Sequence, residues 1–79
     1  MKVLFYGRLG DVVGHELHVD AASCSIEQLR RRIIADHPHA QEVLMNKRAR
    51  VYVGDVLVGD DHMVGATDCV EFLAPVSGG

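Results

Sequence analysis

The sequence predicts an α+β fold, a sheet of four to five strands wrapped around one main helix. Three observations predict it. A β-rich apolar run opens the chain at Lys2 to Tyr6. One amphipathic helix follows Ser25, and a second β-rich run, Cys69 to Ala74, lies close to the C-terminal end. With 79 residues there is room for one modest core, and a chain of this size buries only roughly 60% of its unfolded surface.

Taken in order, Lys2-Val3-Leu4-Phe5-Tyr6 reads as a first strand ended by Gly7, with Val3 and Phe5 on one face and Leu4 and Tyr6 on the other. Arg8 to Gly14 is bounded by glycines and is expected to be a loop with room for one helical turn. His15 to Val19 alternates polar and apolar, giving a second strand that returns beside the first as a hairpin. Ser25 with Gln28 forms a capping-box pattern, and Glu27 lies favourably in the first turn. Ile26, Leu29, Ile33 and Ile34 form one apolar stripe at helical spacing, so Arg30, Arg31 and Arg32 are expected to face largely outward. His37-Pro38 ends this helix, because the residue before proline is pushed out of helical geometry. A second short helical segment is expected over His39 to Met45. Arg50 to Val53 and Val56 to Val58 flank Gly54-Asp55 as a short hairpin, and Asp60 to Asp68 reads as an acidic loop. In the last strand Val70 and Phe72 point inward, Glu71 and Leu73 outward, and Pro75 stops the ladder.

Composition narrows the function. An apolar fraction of 48% with 24% charged residues is that of an ordinary globule. No apolar run approaches the ~20 residues of a membrane span, and no N-terminal segment resembles a signal peptide, so the expected address is cytoplasmic, with no membrane partner. All Lys and Arg lie between Lys2 and Arg50, whereas Asp55, Asp60, Asp61, Asp68 and Glu71 are the charges that follow. This anionic final third argues against nucleic acid and for a basic partner surface. The five histidines and the two cysteines, Cys24 and Cys69, show no metal-ligand spacing, so no metal site is expected and both thiols are read as free. The glycines at 7, 10 and 14 do not match a phosphate-cradling loop.

The tail Pro75-Val76-Ser77-Gly78-Gly79 carries the chemistry. Pro75 keeps the exit from the strand extended, and two glycines without side chains suit a narrow channel. The reactive group there is the α-carboxylate of Gly79, a poor electrophile until activated, for instance as an acyl adenylate. A sulfur nucleophile then converts it into a thiocarboxylate on a movable arm.

Lys2-Val3-Leu4-Phe5-Tyr6-Gly7, Ser25-Ile26-Glu27-Gln28-Leu29-Arg30 and above all Val70-Glu71-Phe72-Leu73-Ala74-Pro75-Val76-Ser77-Gly78-Gly79 resemble the small subunit of molybdopterin synthase, a sulfur carrier of ubiquitin-like β-grasp fold. The resemblance spans nearly the whole chain. It implies a mixed-sheet β-grasp domain over residues 1–74 and a tail over 75–79. It implies that Gly79 is adenylated by an activating enzyme of the ubiquitin-activating type, which uses ATP, and is then sulfurated. Docked on the large catalytic subunit, in a heterotetramer, the tail (Pro75, Val76, Ser77, Gly78) threads the partner's active site and gives sulfur to cyclic pyranopterin monophosphate. The acids and bases belong to the partner, and this chain binds no cofactor of its own. Gly54-Asp55, Thr67-Asp68 and Ala74-Pro75 depart from the family's usual residues without touching the terminal carboxylate. Related carriers serve thiamine or cysteine synthesis, and a ubiquitin-like modifier would use the same carboxylate. A β-grasp binding module with an incidental Gly-Gly end is the third reading. If Gly79 is the natural terminus, no trimming step is needed. Leu4, Tyr6 and Leu73 project from the face opposite the core, either as a docking face or under cover of the segment after Gly7.

Overall fold

The computed structural model describes residues 1–45 and 49–73. Among these residues, eleven regular segments follow one another: β1 (Lys2–Tyr6), α1 (Arg8–Val13), β2 (Glu16–His18), β3 (Cys24–Ser25), α2 (Ile26–Asp36), a 3-10 turn (Pro38–Ala40), α3 (Gln41–Leu44), β4 (Arg50–Val53), β5 (Val56–Val58), β6 (Met63–Val64) and β7 (Cys69–Leu73). The main sheet has the order β2-β1-β7-β4-β5. β1 and β7 run parallel, and the other neighbours antiparallel. The sheet is therefore mixed, and β1 and β7, whose Val3, Phe5, Val70 and Phe72 are buried, lie side by side in its interior. The α+β class agrees with the sequence.

Alternation explains the core. Val3 and Phe5 of β1, Val70 and Phe72 of β7 and Val51 of β4 turn to the same side, where Ile26, Leu29 and Ile33 of α2 meet them, all essentially buried. The Phe5 and Phe72 rings stack with centroids 5.6 Å apart. Burying such side chains is worth roughly 1.5–3 kcal/mol each, which makes this layer the main source of stability. The α2 stripe falls as expected, with Ile34 half-buried at its margin.

The capping box at the start of α2 is complete. Gln28 N–H donates to Ser25 Oγ at 3.1 Å, and Ser25 N–H donates to the Gln28 side chain at 2.9 Å. The other first-turn donors are satisfied by the segment expected to be a plain acidic loop. Ile26 N–H donates to the His62 carbonyl and Glu27 N–H to the Asp60 carbonyl, both at 3.0 Å. Within that segment β6 pairs with β3, Cys24 opposite Val64 and Ser25 opposite Met63. Residues 60–68 thus form a second small sheet and the cap of α2, because Val64 is buried and anchors the segment.

Two further expectations need correction. The stretch after Gly7 is a six-residue helix, α1, rather than a loop with a single turn. Leu9 is fully buried and draws the segment onto the core, overriding the low helix propensity of Gly10. Gly10 is needed there: a Cβ would stand 2.6 Å from His15 Nδ1 and 3.3 Å from the Phe5 carbonyl.

Arg30 is the second. It was expected to face largely outward with Arg31 and Arg32, yet only 7% of it is exposed. Its Nε donates to Asp60 Oδ1 at 3.1 Å and its Nη1 to the Leu44 carbonyl, while the guanidinium lies over the Phe72 ring at 5.4 Å. A fork with five donors suits three neighbours at once, which keeps a buried cation satisfied. Arg31 and Arg32 do face solvent, and Arg31 pairs with Glu27 at 3.2 Å across one helical turn.

Candidate functional site

The site is built where β7 ends. Leu73 is in register with Tyr6 on the parallel side and with Arg50 on the antiparallel side. The tail therefore leaves from a central strand held by neighbours on both flanks. Ala74, Pro75, Val76, Ser77, Gly78 and Gly79 lie outside the described residues, and with them the end of the expected last strand and the carboxylate expected to react.

The face opposite the core can be read row by row from the register. Tyr6, Leu73 and Arg50 form the row at the exit. Glu16, Leu4, Glu71, Tyr52 and Leu57 form the next row, followed by His18, Lys2 and Cys69. Leu4, Tyr6 and Leu73 thus share one face. Tyr6 is 45% exposed, and Leu4 and Leu73 are half-buried. The segment after Gly7 does not cover them. Leu9 joins the core, and the Val12 carbonyl meets His39 Nε2 at 2.7 Å, so α1 lies on the helical side of the sheet.

Glu71 was read from sequence only as outward-pointing. Its carboxylate lies beside Tyr6 on the diagonal of the parallel pair. Partial desolvation, then the charge of Glu71 and hydrogen bonding to its side chain, hold the Tyr6 phenol above its ordinary value of 10.0. Tyr52 and Leu57 were likewise missed as members of this face. The available signal was the alternation through Arg50–Val58, once the hairpin register is fixed. Around the apolar centre the charges are mixed: Glu16 is 3.7 Å from Lys2 Nζ and 3.5 Å from the His18 ring.

The remaining sequence candidates are dispersed. His37 and His39 meet edge-on with centroids 6.1 Å apart, and His15 packs on Gly10. Among the described residues no three His, Cys, Asp or Glu side chains come together as a metal site. Cys24 and Cys69 are half-buried free thiols on different sheets. Among the described residues no helix is long and apolar enough to cross a membrane.

A family model described as the ThiS family matches residues 3–79, which takes in the sheet, the helix and the terminal Gly-Gly. The chain belongs to the ThiS family. It is therefore a ubiquitin-like β-grasp protein of a sulfur-carrier family. Solved structures share the fold at low identity. SAMP1 from Haloferax volcanii superposes with a TM-score of 0.84 at 19% identity, over 99% of this chain and 97% of that one. A candidate molybdopterin converting factor subunit 1 from Pyrococcus furiosus gives 0.72 at 19% identity, over 95% of each chain. A chain of the complex of subunits 1 and 2 of the molybdopterin-converting factor from Helicobacter pylori gives 0.65 at 20% identity, over 99% of this chain and 96% of that one. No curated protein matches the chain significantly.

Proposed function

We propose that this ThiS-family chain is the sulfur-carrying small subunit of a molybdopterin synthase, working in the cytoplasm through the carboxylate of Gly79. The observation that carries the reading is the join of tail to fold. A Gly-Gly tail follows directly from β7, a strand braced by β1 and β4 up to Leu73. A fixed root with an unhindered end suits an arm that must enter another protein's active site. The likeness to converting-factor subunits, one of them solved with its subunit 2, supports a large catalytic subunit as the partner.

The cycle balances as follows. The Gly79 carboxylate attacks the α-phosphorus of ATP on an adenylating enzyme, expelling pyrophosphate. A hydrosulfide-level donor attacks the acyl carbon and expels AMP, leaving a thiocarboxylate. On the large subunit the thiocarboxylate sulfur attacks an oxygen-bearing side-chain carbon of cyclic pyranopterin monophosphate, and as the C–S bond forms that carbon's C–O bond breaks, the oxygen leaving on the phosphate or as water. Water then cleaves the resulting thioester, so that sulfur stays on the product and Gly79 returns as carboxylate. Leu4, Tyr6 and Leu73, with Tyr52 and Leu57 beside them, form the docking face, and Pro75 to Gly78 thread the channel. This chain supplies position and sulfur, while proton transfers fall to the partner.

The test is mass spectrometry of the chain after incubation with its adenylating enzyme, ATP and a sulfide source. An oxygen-to-sulfur exchange at Gly79 is expected. Absence of that product, or sulfur transfer that survives deletion of Gly79, overturns the reading. The likeness to SAMP1, whose second structure is described as small archaeal modifier protein 1, favours one rival: conjugation of the same carboxylate to lysines. Isopeptide-linked adducts without thiocarboxylate would select that rival. Thiocarboxylate that feeds thiamine or cysteine synthesis, but not the pterin, would move the chain to another pathway.

A further inference from the structure

The main sheet has two edges, β2 and β5, and they are built differently. Glu16 and His18 of β2 are exposed, and Glu16 lies within ion-pair reach of Lys2 and His18. A charged edge discourages a further strand. Val56-Leu57-Val58 of β5 carries no charge, and Val56 and Leu57 are 61% and 56% exposed.

Hairpin geometry decides which backbone groups of β5 are free. Gly54 and Asp55 both have positive φ, 56° and 66°, as the two central residues of a type I′ turn require. In such a two-residue hairpin the flanking pair, Val53 with Val56, exchanges both hydrogen bonds, and the next pair, Tyr52 with Leu57, exchanges none. Leu57 therefore turns its N–H and C=O away from β4, to an edge with no further strand among the described residues.

The two ends of this edge are acidic. Asp55 precedes β5. Asp61 follows it, with its carboxylate 3.4 Å from where a side chain on Gly59 would begin. Asp60 is turned to Arg30, whereas Asp55 and Asp61 have no ion-pair partner among the described residues. A second copy of this chain, paired antiparallel about Leu57, would set Asp55 of one copy beside Gly59–Asp61 of the other, at both ends. Like charges so placed oppose the pairing. The edge is thus guarded against itself and complementary to a strand of opposite charge.

We propose that β5 accepts an extended segment of another protein, apolar at its centre and flanked by Lys or Arg, which adds to the sheet through the Leu57 backbone. This edge adjoins the docking face at the Leu57 side chain but binds through the Leu57 backbone, and it does not depend on the tail chemistry. The probe is a synthetic peptide of alternating valine and threonine with two lysines at each end, and the control carries glutamates in their place. Hydrogen exchange and amide shifts of the full chain are the readouts. The lysine peptide is expected to slow exchange at Leu57, with shifts centred on residues 55–61. The glutamate peptide should bind about tenfold more weakly, and salt should weaken the lysine peptide. Leu57→Pro removes the edge donor without touching the β4 ladder and should abolish binding. Asp55→Asn with Asp61→Asn, in which Asn tolerates the positive φ, keeps the edge and should erase the preference for lysine. Unchanged Leu57 exchange, equal binding of the two peptides, or shifts centred on β2 would each overturn the proposal.

Discussion

Arg30 joins three parts of the chain through one side chain: Asp60 in the capping segment, the Leu44 carbonyl at the end of α3 and the Phe72 ring in the core. Removing it leaves a buried carbonyl short of its donor and a gap beside an aromatic ring. Arg30→Ala should therefore cost about 2–4 kcal/mol in denaturant unfolding. Asp60 is 61% exposed, so Asp60→Asn should cost under about 1 kcal/mol. If the two substitutions cost the same, the ion pair rather than the buried fork holds the structure. Tyr6 makes a second prediction at this scale. Its phenol is held above 10.0 in the folded chain, so the folded state keeps that proton longer than the unfolded one. The associated stability is fully present below the unfolded value and is lost as pH rises through the folded one. Glu71→Gln removes the neighbouring charge, and the Tyr6 titration, followed by ultraviolet absorbance, should move down toward the ordinary value.

At the scale of elements, turns and caps fix what the apolar pattern leaves open. Gly54→Ala forces a side chain into the left-handed region and should destabilise the β4–β5 hairpin by about 1 kcal/mol, read as a lower unfolding midpoint. Ser25→Ala should cost a similar amount by removing the acceptor for Gln28 N–H. Local rules made most of these elements legible. The Ser25/Gln28 box, the Ile26-Leu29-Ile33 stripe and the alternation in Lys2–Tyr6 and Cys69–Leu73 each declare their period within a few residues. What was not legible depended on distant partners. Residues 60–68 look polar and loop-like because only Val64 is buried, and β6 is a strand because β3 lies across from it. α1 contains a glycine and is helical because Leu9 reaches the core. Arg30 lies four residues after Ile26 and three before Ile33, on the margin of the apolar stripe, but an arginine at such a position reads as solvated charge until its partners are known. Its burial is set by partners distant in the chain, the Leu44 carbonyl, the Phe72 ring and Asp60.

For the whole molecule, the same economy separates docking from chemistry. The core lies on one side of the sheet, the apolar centre of the opposite face is formed by Leu4, Tyr6, Leu73, Tyr52 and Leu57, and the Gly-Gly end follows from the strand between them. The face was legible as alternation, whereas the nearness of Glu71 to Tyr6 was not, because that diagonal exists only once β1 and β7 lie parallel. In the proposed cycle the two parts should fail separately. Tyr6→Ser with Leu4→Ser should leave far-ultraviolet dichroism native, because both side chains lie off the core, yet weaken association with the large subunit by tenfold or more, about 1.4 kcal/mol or above. Deletion of Gly79 should leave that association within a few-fold while abolishing thiocarboxylate formation, since the face stays and the carboxylate no longer stands at the required reach. Binding by calorimetry and thiocarboxylate by mass spectrometry distinguish the two losses. A face variant that binds normally would remove this sheet surface from the interface. A Gly79 deletion that still receives sulfur would remove the tail from the chemistry.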